Sequence, residues 1–280
     1  MLKSLLVSVY RRLPGKLRFK LGKLKFLKPL RDMLFRGKKS YREVSGKVKK
    51  VYGGYDMGFW FFGSIQDVAK AKGKGVESTL LNNSIEIIKT YKACQDDCVV
   101  FDIGANFGFL SLVWAQSVSK NGGCVHAFEP NPTVFKSFQK SIVKNDLEVV
   151  IAANHAALGN ENKIIDLYLS NTTSNVLESI HSGVKTQVDM FRLDSYVQNN
   201  SVNRCDLIKI DVDGIELDIL KGAEETLKAF EPIFVVETNS DMRIVDFFKS
   251  HGYEVLDMNL QPFKDGDSLP VNVFCVPKQV

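Results

Sequence analysis

The sequence predicts an α/β fold: a doubly wound, mostly parallel sheet that ends in an antiparallel hairpin. Three observations carry that expectation. From Cys98 onward, short apolar runs alternate with segments of helical periodicity, the pattern of strands joined by crossover helices. Several of these runs end in an acid, as Val99–Phe101 ends in Asp102-Ile103-Gly104, and open parallel sheets bind ligands beyond such strand ends. The last two runs, Tyr253–Leu256 and Val271–Val276, have no helical segment between them and read as a hairpin.

Taken in order, the strand Val99–Phe101 leads into a helix through Leu110–Ser117. Val125–Phe128 is a second strand, ending in Glu129-Pro130-Asn131-Pro132, with a helix from Thr133 to Lys144 behind it. Val149–Ala153 is a third strand, and Lys163–Leu169 and Lys185–Arg192 read as two additional ones. Leu207–Val212 is strongly apolar, Ile215–Phe230 is the helix after it, and Ile233–Val236 is a strand ending at Glu237. Met242–Ser250 is a helix stopped by Gly252.

Residues 94–280 therefore make up the main domain, and two segments precede it. Residues 40–93 read as a lid or N-terminal subdomain. Within it Gly53–Gly63 is dense in aromatics and glycines, which fits either a turn-rich β segment or a substrate-facing wall, and Ser84–Tyr91 has the spacing of a short helix. Residues 1–39 alternate basic and apolar positions, broken by Pro14-Gly15 and Pro29, and read as short amphipathic helices.

The charge is divided unevenly. Of 37 Lys and Arg residues, 13 lie in residues 1–39 beside a single acid, Asp32, which leaves 24 bases and 31 acids for the remaining 241 residues. The basic arm suits a solvated helical cap, or a peripheral contact with anionic lipid or an acidic protein. The mildly acidic body offers no basic groove for nucleic acid. Hydrophobic content of 45% with 25% charged residues argues against wholesale disorder. No apolar run reaches the ~18 residues that would span a bilayer. Arg11 and Arg12 follow the short apolar start with no small-residue cleavage site, so no signal peptide is expected. The five cysteines have no zinc-like spacing, and the expectation is reduced thiols, no metal site and a cytoplasmic protein, with a peripheral place at the inner face of a membrane as the alternative that its arm allows.

Three stretches carry chemistry. In Val99–Phe109, Gly104 and Gly108 allow a tight turn and close backbone approach, while Asp102 suits an ammonium or a set of backbone donors. A dinucleotide loop would want a third glycine to lay pyrophosphate on the helix N-terminus. Only Gly104-x3-Gly108 is present, with an acid before it, which favours a cofactor with a cationic end over a nicotinamide dinucleotide. Glu129 ends the next strand, where an acid accepts from ribose hydroxyls, although an acidic helix cap explains it too. In Leu207–Gly222, Lys209 and Asp211 fall on one face of an apolar strand, with Asp213 following if the strand continues. Charges so placed must be paired, either as a structural network or facing a reaction cleft.

These motifs together, Asp-Ile-Gly-Ala-Asn-x-Gly, Phe-Glu-Pro-Asn-Pro, Ala-Ala-Leu-Gly-Asn and Asp-Leu-Ile-Lys-Ile-Asp-Val-Asp-Gly-x-Glu, resemble the FkbM family of S-adenosylmethionine (SAM)-dependent methyltransferases over roughly residues 75–240. The resemblance implies a class I methyltransferase (Rossmann-like) fold with a seven-stranded, mostly parallel sheet, and O-methylation of a sugar or natural-product hydroxyl. It implies that Asp102, Gly104, Ala105, Asn106 and Gly108 form the SAM loop and that Glu129 holds ribose. Asn131, His155 and Ala156 complete the candidate cofactor-binding set. Lys209, Asp211, Gly214 and Glu216 carry the signature, and Asp213 stands where the family commonly has Glu.

An alcohol acceptor needs a base within hydrogen-bond reach. The candidates are Asp211 and Glu237 at adjacent strand ends, with Lys209 beside them; His155 is an alternative base or a neighbour of adenine. His126 reads as a core residue, and His181 and His251 as loop and helix-end residues. Two other readings stay open: an NAD-dependent oxidoreductase on the same fold type, and a non-catalytic SAM-binding interaction module. The expected partner is a small-molecule or glycan hydroxyl acceptor, with the oligomeric state unassigned.

Overall fold

The computed structural model describes residues 41–170, 173–175, 184–264 and 266–278. The basic arm and His181 lie outside the described residues. A seven-stranded sheet forms the centre, in the order β12-β13-β11-β10-β3-β4-β5. Its strands are β3 (Val99–Ile103), β4 (Cys124–Phe128), β5 (Ile151–Asn154), β10 (Leu207–Ile210), β11 (Ile233–Glu237), β12 (Tyr253–Leu256) and β13 (Asn272–Pro277). β3, β4, β5, β10 and β11 run parallel, whereas β13 pairs antiparallel with both β11 and β12. The expected doubly wound sheet with a terminal hairpin is therefore what forms.

Alternation along the strands loads both faces. Val100, Val125, Leu207 and Val235 point to one side, into a core shared with helices α2 (Ser78–Tyr91), α3 (Phe109–Ala115) and α4 (Pro132–Lys144). Phe101, Ile103, Ile208, Ile210 and Phe234 point to the other. That side is covered by α5 (Leu193–Asn199), α6 (Glu216–Lys221), α7 (Glu224–Phe230) and α8 (Met242–Ser250). Strands buried on both faces need near-continuous apolar sequence, so a charge inside one of them stands out.

The segment upstream of the sheet is a hairpin, β1 (Glu43–Tyr52) and β2 (Tyr55–Ser64), turned at Gly53-Gly54 and followed by α1 (Ile65–Lys72). Tyr52, Met57, Phe59 and Phe61 alternate into the first core, where Phe61 meets the rings of Phe107 and Phe109 edge-on. The aromatic stretch is thus mainly core packing rather than a substrate-facing wall.

A second sheet of four strands, in the order β6-β9-β7-β8, stands apart from the first. It takes in the two additional strands as β7 (Lys163–Ser170) and β9 (Val184–Phe191), with β6 (Ala157–Leu158) and β8 (Thr173–Asn175). Among the described residues no helix is long and apolar enough to cross a membrane.

Several local expectations need correction. The helix expected over Ile215–Phe230 is two helices, because Asp194 donates its N–H to the Gly222 carbonyl and its carboxylate caps the second helix at the N–H groups of Glu225 and Thr226. The helix placed at Ser84–Tyr91 begins a turn and a half earlier, at Ser78. The strand Leu207–Val212 stops at Ile210, and Asp213 lies in the turn beyond it with φ of +60° rather than on a continued strand. The cysteines are not all reduced: the loop between α2 and β3 doubles back, brings the Cα atoms of Cys94 and Cys98 to 5.7 Å, and joins them in a disulfide. Cys124, Cys205 and Cys275 are free thiols.

Gly108 opens α3 with φ of +75°, and a Cβ there would come within 2.0 Å of the Phe138 ring on α4. Its first task is therefore helix packing, not access for a ligand. Gly108→Ala should destabilise the protein by about 2 kcal/mol through overpacking and backbone strain, read as a lower urea midpoint at unchanged slope.

Candidate active site

The carboxyl ends of β3, β4 and β10 open into a cavity of about 340 Å³, within the range of small-ligand sites of roughly 300–1,000 Å³. Its floor is the loop after β3. Gly104 and Ala105 both donate their backbone N–H to the Phe128 carbonyl, at 3.0 and 2.9 Å, which ties the loop to the end of β4. Gly104 has φ of +79°, and a Cβ on it would meet the Asp211 carbonyl oxygen at 2.0 Å. Glycine is needed there because the loop after β3 and the loop after β10 touch. Asn106 has φ of +51°, a conformation that asparagine tolerates better than most residues.

Glu129 is buried, and its two oxygens accept from the Asn106 N–H at 2.8 Å and the Asn131 N–H at 2.7 Å. Burial pushes its carboxyl up to about 7. A carboxylate has about four acceptor sites, so each oxygen retains a lone pair for a further donor in the cavity. Asn131 itself caps α4, accepting from Thr133 N–H and Val134 N–H, with Pro132 at the first helical position.

On β10, Lys209 sits directly across from Asp102 on β3 in the parallel register. Both are buried, Lys209 at 3% exposure and Asp102 at 0%. The Lys209 ammonium donates to the Gly104 carbonyl at 2.9 Å and lies 3.4 Å from one oxygen of Asp102 and from one of Asp211. Burial alone would lower the lysine pKa, but Asp211 and Asp102 push it above its usual value. Asp102 Oδ2 also accepts from the Ser111 hydroxyl at 2.5 Å, while Oδ1 is the oxygen that faces the Lys209 ammonium.

Asp211 hangs its backbone N–H on the Ile103 carbonyl at 3.1 Å and faces the cavity. Lys209 holds its carboxyl below the usual range, against the effect of burial. Glu237, at the end of β11, lies beside Asp211; burial and that neighbouring carboxylate push it up to about 7. Glu216 pins the intervening turn, taking the N–H groups of Val212 and Gly214 at 3.3 and 3.0 Å and the Asn239 amide at 2.8 Å.

The structure thus brings Asp102, Gly104, Ala105, Asn106, Glu129, Ala156, Lys209 and Asp211 to one cavity. Gly108, Asn131, His155 and Glu237 lie outside its lining. Glu237 reaches it through Asp211, while the exposed His155 bonds the Pro130 carbonyl at 3.0 Å and rests on the Phe135 ring. His126 is packed against Phe101 and bonded to Tyr196 at 3.0 Å. Sequence reading missed Asp67 and Lys70 of α1 and Glu77 at the start of α2, all of which line the cavity. Their only signal was an acid just ahead of a helical pattern, which marks many ordinary helix starts.

A seven-stranded sheet of this order, with a ligand loop after β3 and an acid after β4, is the class I SAM-dependent methyltransferase fold, and SAM is its cofactor. Residues 102–255 match the family described as "Methyltransferase FkbM domain". The chain belongs to that family. It is 27% identical over 174 residues to "Methyltransferase 1" of Beauveria bassiana, covering 54% of this chain and 69% of that one. It is 23% identical over 141 residues to "Hexuronic acid methyltransferase AglP" of Haloferax volcanii, covering 50% of this chain and 56% of that one. Among solved structures, the methyltransferase FkbM from Methylobacillus flagellatus superposes with a TM-score of 0.44 at 14% identity, covering 76% of this chain and 55% of that one. The chain therefore spans only part of each relative.

Lys209→Met should leave the buried Asp102 carboxylate unpaired and destabilise the fold by about 3–5 kcal/mol, measured by denaturant unfolding.

Proposed function

We propose that this chain transfers a methyl group from SAM to a hydroxyl of a sugar or small natural-product acceptor. The residues present fit the cofactor. Six carboxylates against two lysines line the cavity, which suits a ligand carrying cationic groups. Glu129 offers further acceptor sites for a ribose diol. The Asn106 N–H, already committed to Glu129, is withdrawn from the anion-binding duty that a pyrophosphate would ask of the loop. This disfavours the nicotinamide dinucleotide reading.

Bound SAM supplies an electrophilic methyl on a sulfonium. The chain's own part is to hold the acceptor oxygen in line, exclude water and take the hydroxyl proton. The observation that carries the O-methylation reading is the Asp211–Glu237 carboxyl pair. Lys209 keeps Asp211 ionised, so it accepts a hydrogen bond from the acceptor hydroxyl. Glu237, pushed up to about 7, is the stronger base of the two and takes up the proton through Asp211. A neutral amine nucleophile would attack before losing its proton and would not need such a pair at the site. The hexuronic acid named for the Haloferax volcanii relative supports a sugar as the acceptor.

A panel of sugar and small-molecule hydroxyls incubated with methyl-labelled SAM should yield a labelled methyl ether by mass spectrometry. Label found only on nitrogen or carbon would overturn the O-methylation reading. A base acts when deprotonated, so kcat should rise as the pH passes through about 7, the value for Glu237. Glu237→Gln should remove that rising limb. Asp211→Asn should lower kcat by about 10²–10⁴-fold, the usual worth of a positioned base, while SAM binding measured by calorimetry persists.

A further inference from the structure

At the amino ends of the central strands, away from the cavity, the loop from Cys94 to Cys98 joins several parts of the fold. Asp96 holds the start of β2, where it accepts from the Tyr55 hydroxyl. The Tyr55 ring lies between the ammonium groups of Lys89 and Lys120, at 4.3 and 4.8 Å from its centre. Lys120 also pairs with Asp96 at 3.0 Å, and the Asp96 carbonyl accepts from the Asn121 N–H at 2.8 Å. Asp97 pairs with Arg204 at 3.0 Å, and Arg204 with Asp206 at 2.8 Å, just ahead of β10. To make these contacts Asp96 takes a φ of +62°, in the left-handed region. The disulfide closes the loop around them.

Three features set this bridge apart from a structural staple. Its cysteines are only four residues apart, and so short a loop restrains the unfolded chain less than a long one. Cys124, Cys205 and Cys275 stay as free thiols, unlike the dense pairing of small secreted domains. The two sulfurs also differ: Cys98 is fully buried, whereas Cys94 is half-buried and accepts from the Arg204 guanidinium at 3.0 Å. A cation beside a sulfur favours the thiolate, which marks reactive cysteines. Cys94, Cys98 and Asp206 are close enough together to hold a metal ion, with ligand atoms within 4.8 Å of one another. Arg204 opposes that use. Its positive charge sits against Cys94, and both Asp206 oxygens are taken, one by Arg204 and one by the Val99 N–H.

We propose that Cys94–Cys98 is a reversible thiol–disulfide exchange site for a dithiol reductant, and that its reduction releases the β1–β2 turn from Asp96. A thiolate of the dithiol attacks the accessible Cys94 Sγ, the S–S bond breaks, and Cys98 leaves as a thiolate that takes up a proton. The second thiolate of the dithiol then attacks the reductant sulfur of the mixed disulfide and displaces Cys94 as a thiolate beside Arg204. Two electrons pass to the cysteine pair, and the dithiol leaves as a cyclic disulfide. With the bridge open, the loop no longer holds Asp96 in its left-handed conformation, and Tyr55 loses its acceptor. The hairpin loosened in this way carries Phe61 of the cavity wall.

Alkylation of the full chain followed by mass spectrometry of its peptides reads the state of each cysteine. Cys94 and Cys98 should resist labelling in air and both label in dithiothreitol without denaturant, and oxidised glutathione should restore the bridge. On reduction, amide hydrogen exchange at the β1–β2 turn should rise about tenfold, the size expected for losing one hydrogen bond to a charged group, while β10 stays protected. The double variant Cys94→Ser/Cys98→Ser should match the reduced wild type under all redox conditions. Tyr55→Phe should exchange fast at the turn while still oxidised and gain nothing further on reduction. Free Cys94 and Cys98 in air, reduction only in denaturant, or a turn indifferent to reduction would overturn the inference. So would a Tyr55→Phe chain that responds as fully as the wild type. Equimolar zinc retained by the reduced chain through dialysis would also overturn it and assign the pair to a metal.

Discussion

A single buried cation organises this site. Lys209 stands in a strand whose neighbours are Leu207, Ile208 and Ile210, all of them fully buried. An ammonium in such a place is tolerable only if it is paired and hydrogen-bonded. Asp102 across the register, Asp211 two residues on, and the Gly104 carbonyl meet that demand together. One side chain therefore ties together the loop after β3, the loop after β10, and the charge of the Asp211 carboxylate that faces the cavity.

The coupling is steric as well as electrostatic. Gly104 lies so close to the Asp211 carbonyl that no Cβ fits between them, and the Asp211 N–H is bonded to the Ile103 carbonyl. Glu216 then fixes the turn at Val212–Gly214 from the start of α6. The loop expected to bind the cofactor and the loop expected to do the chemistry are one mechanical unit. The same arrangement separates two neighbouring acids by environment: Asp211 beside the lysine stays ionised, while Glu237 beside Asp211 keeps its proton to about neutral pH.

Much of this was legible in the linear pattern. Alternation assigned Lys209 and Asp211 to one face, the acid ending each apolar run marked the ligand side of the sheet, and the missing helix between the last two runs revealed the hairpin. What escaped had a weak local signal. Val149 belongs to the apolar run Val149–Ala153 but is 95% exposed, because the strand starts only at Ile151. The break at Gly222 depends on Asp194, which bonds the Gly222 carbonyl and caps the next helix from another element. Cys94 and Cys98 meet because a loop folds back, which their spacing does not dictate. Asn131 and His155 sit in the right motifs, yet one caps α4 and the other lies on the rim at Phe135, outside the cavity lining.

By itself the sequence determined the doubly wound sheet, the loop chemistry after β3 and β4, and the family, because hydrophobic periodicity and strand-end residues are local properties. Only the tertiary structure decided that Asp102 lies across from Lys209, that Glu237 stands beside Asp211, and that Glu77 and Lys70 from the N-terminal elements line the same cavity. Those relations depend on strand order and register. They are set by which apolar faces pack together over the whole chain, and no short segment encodes them.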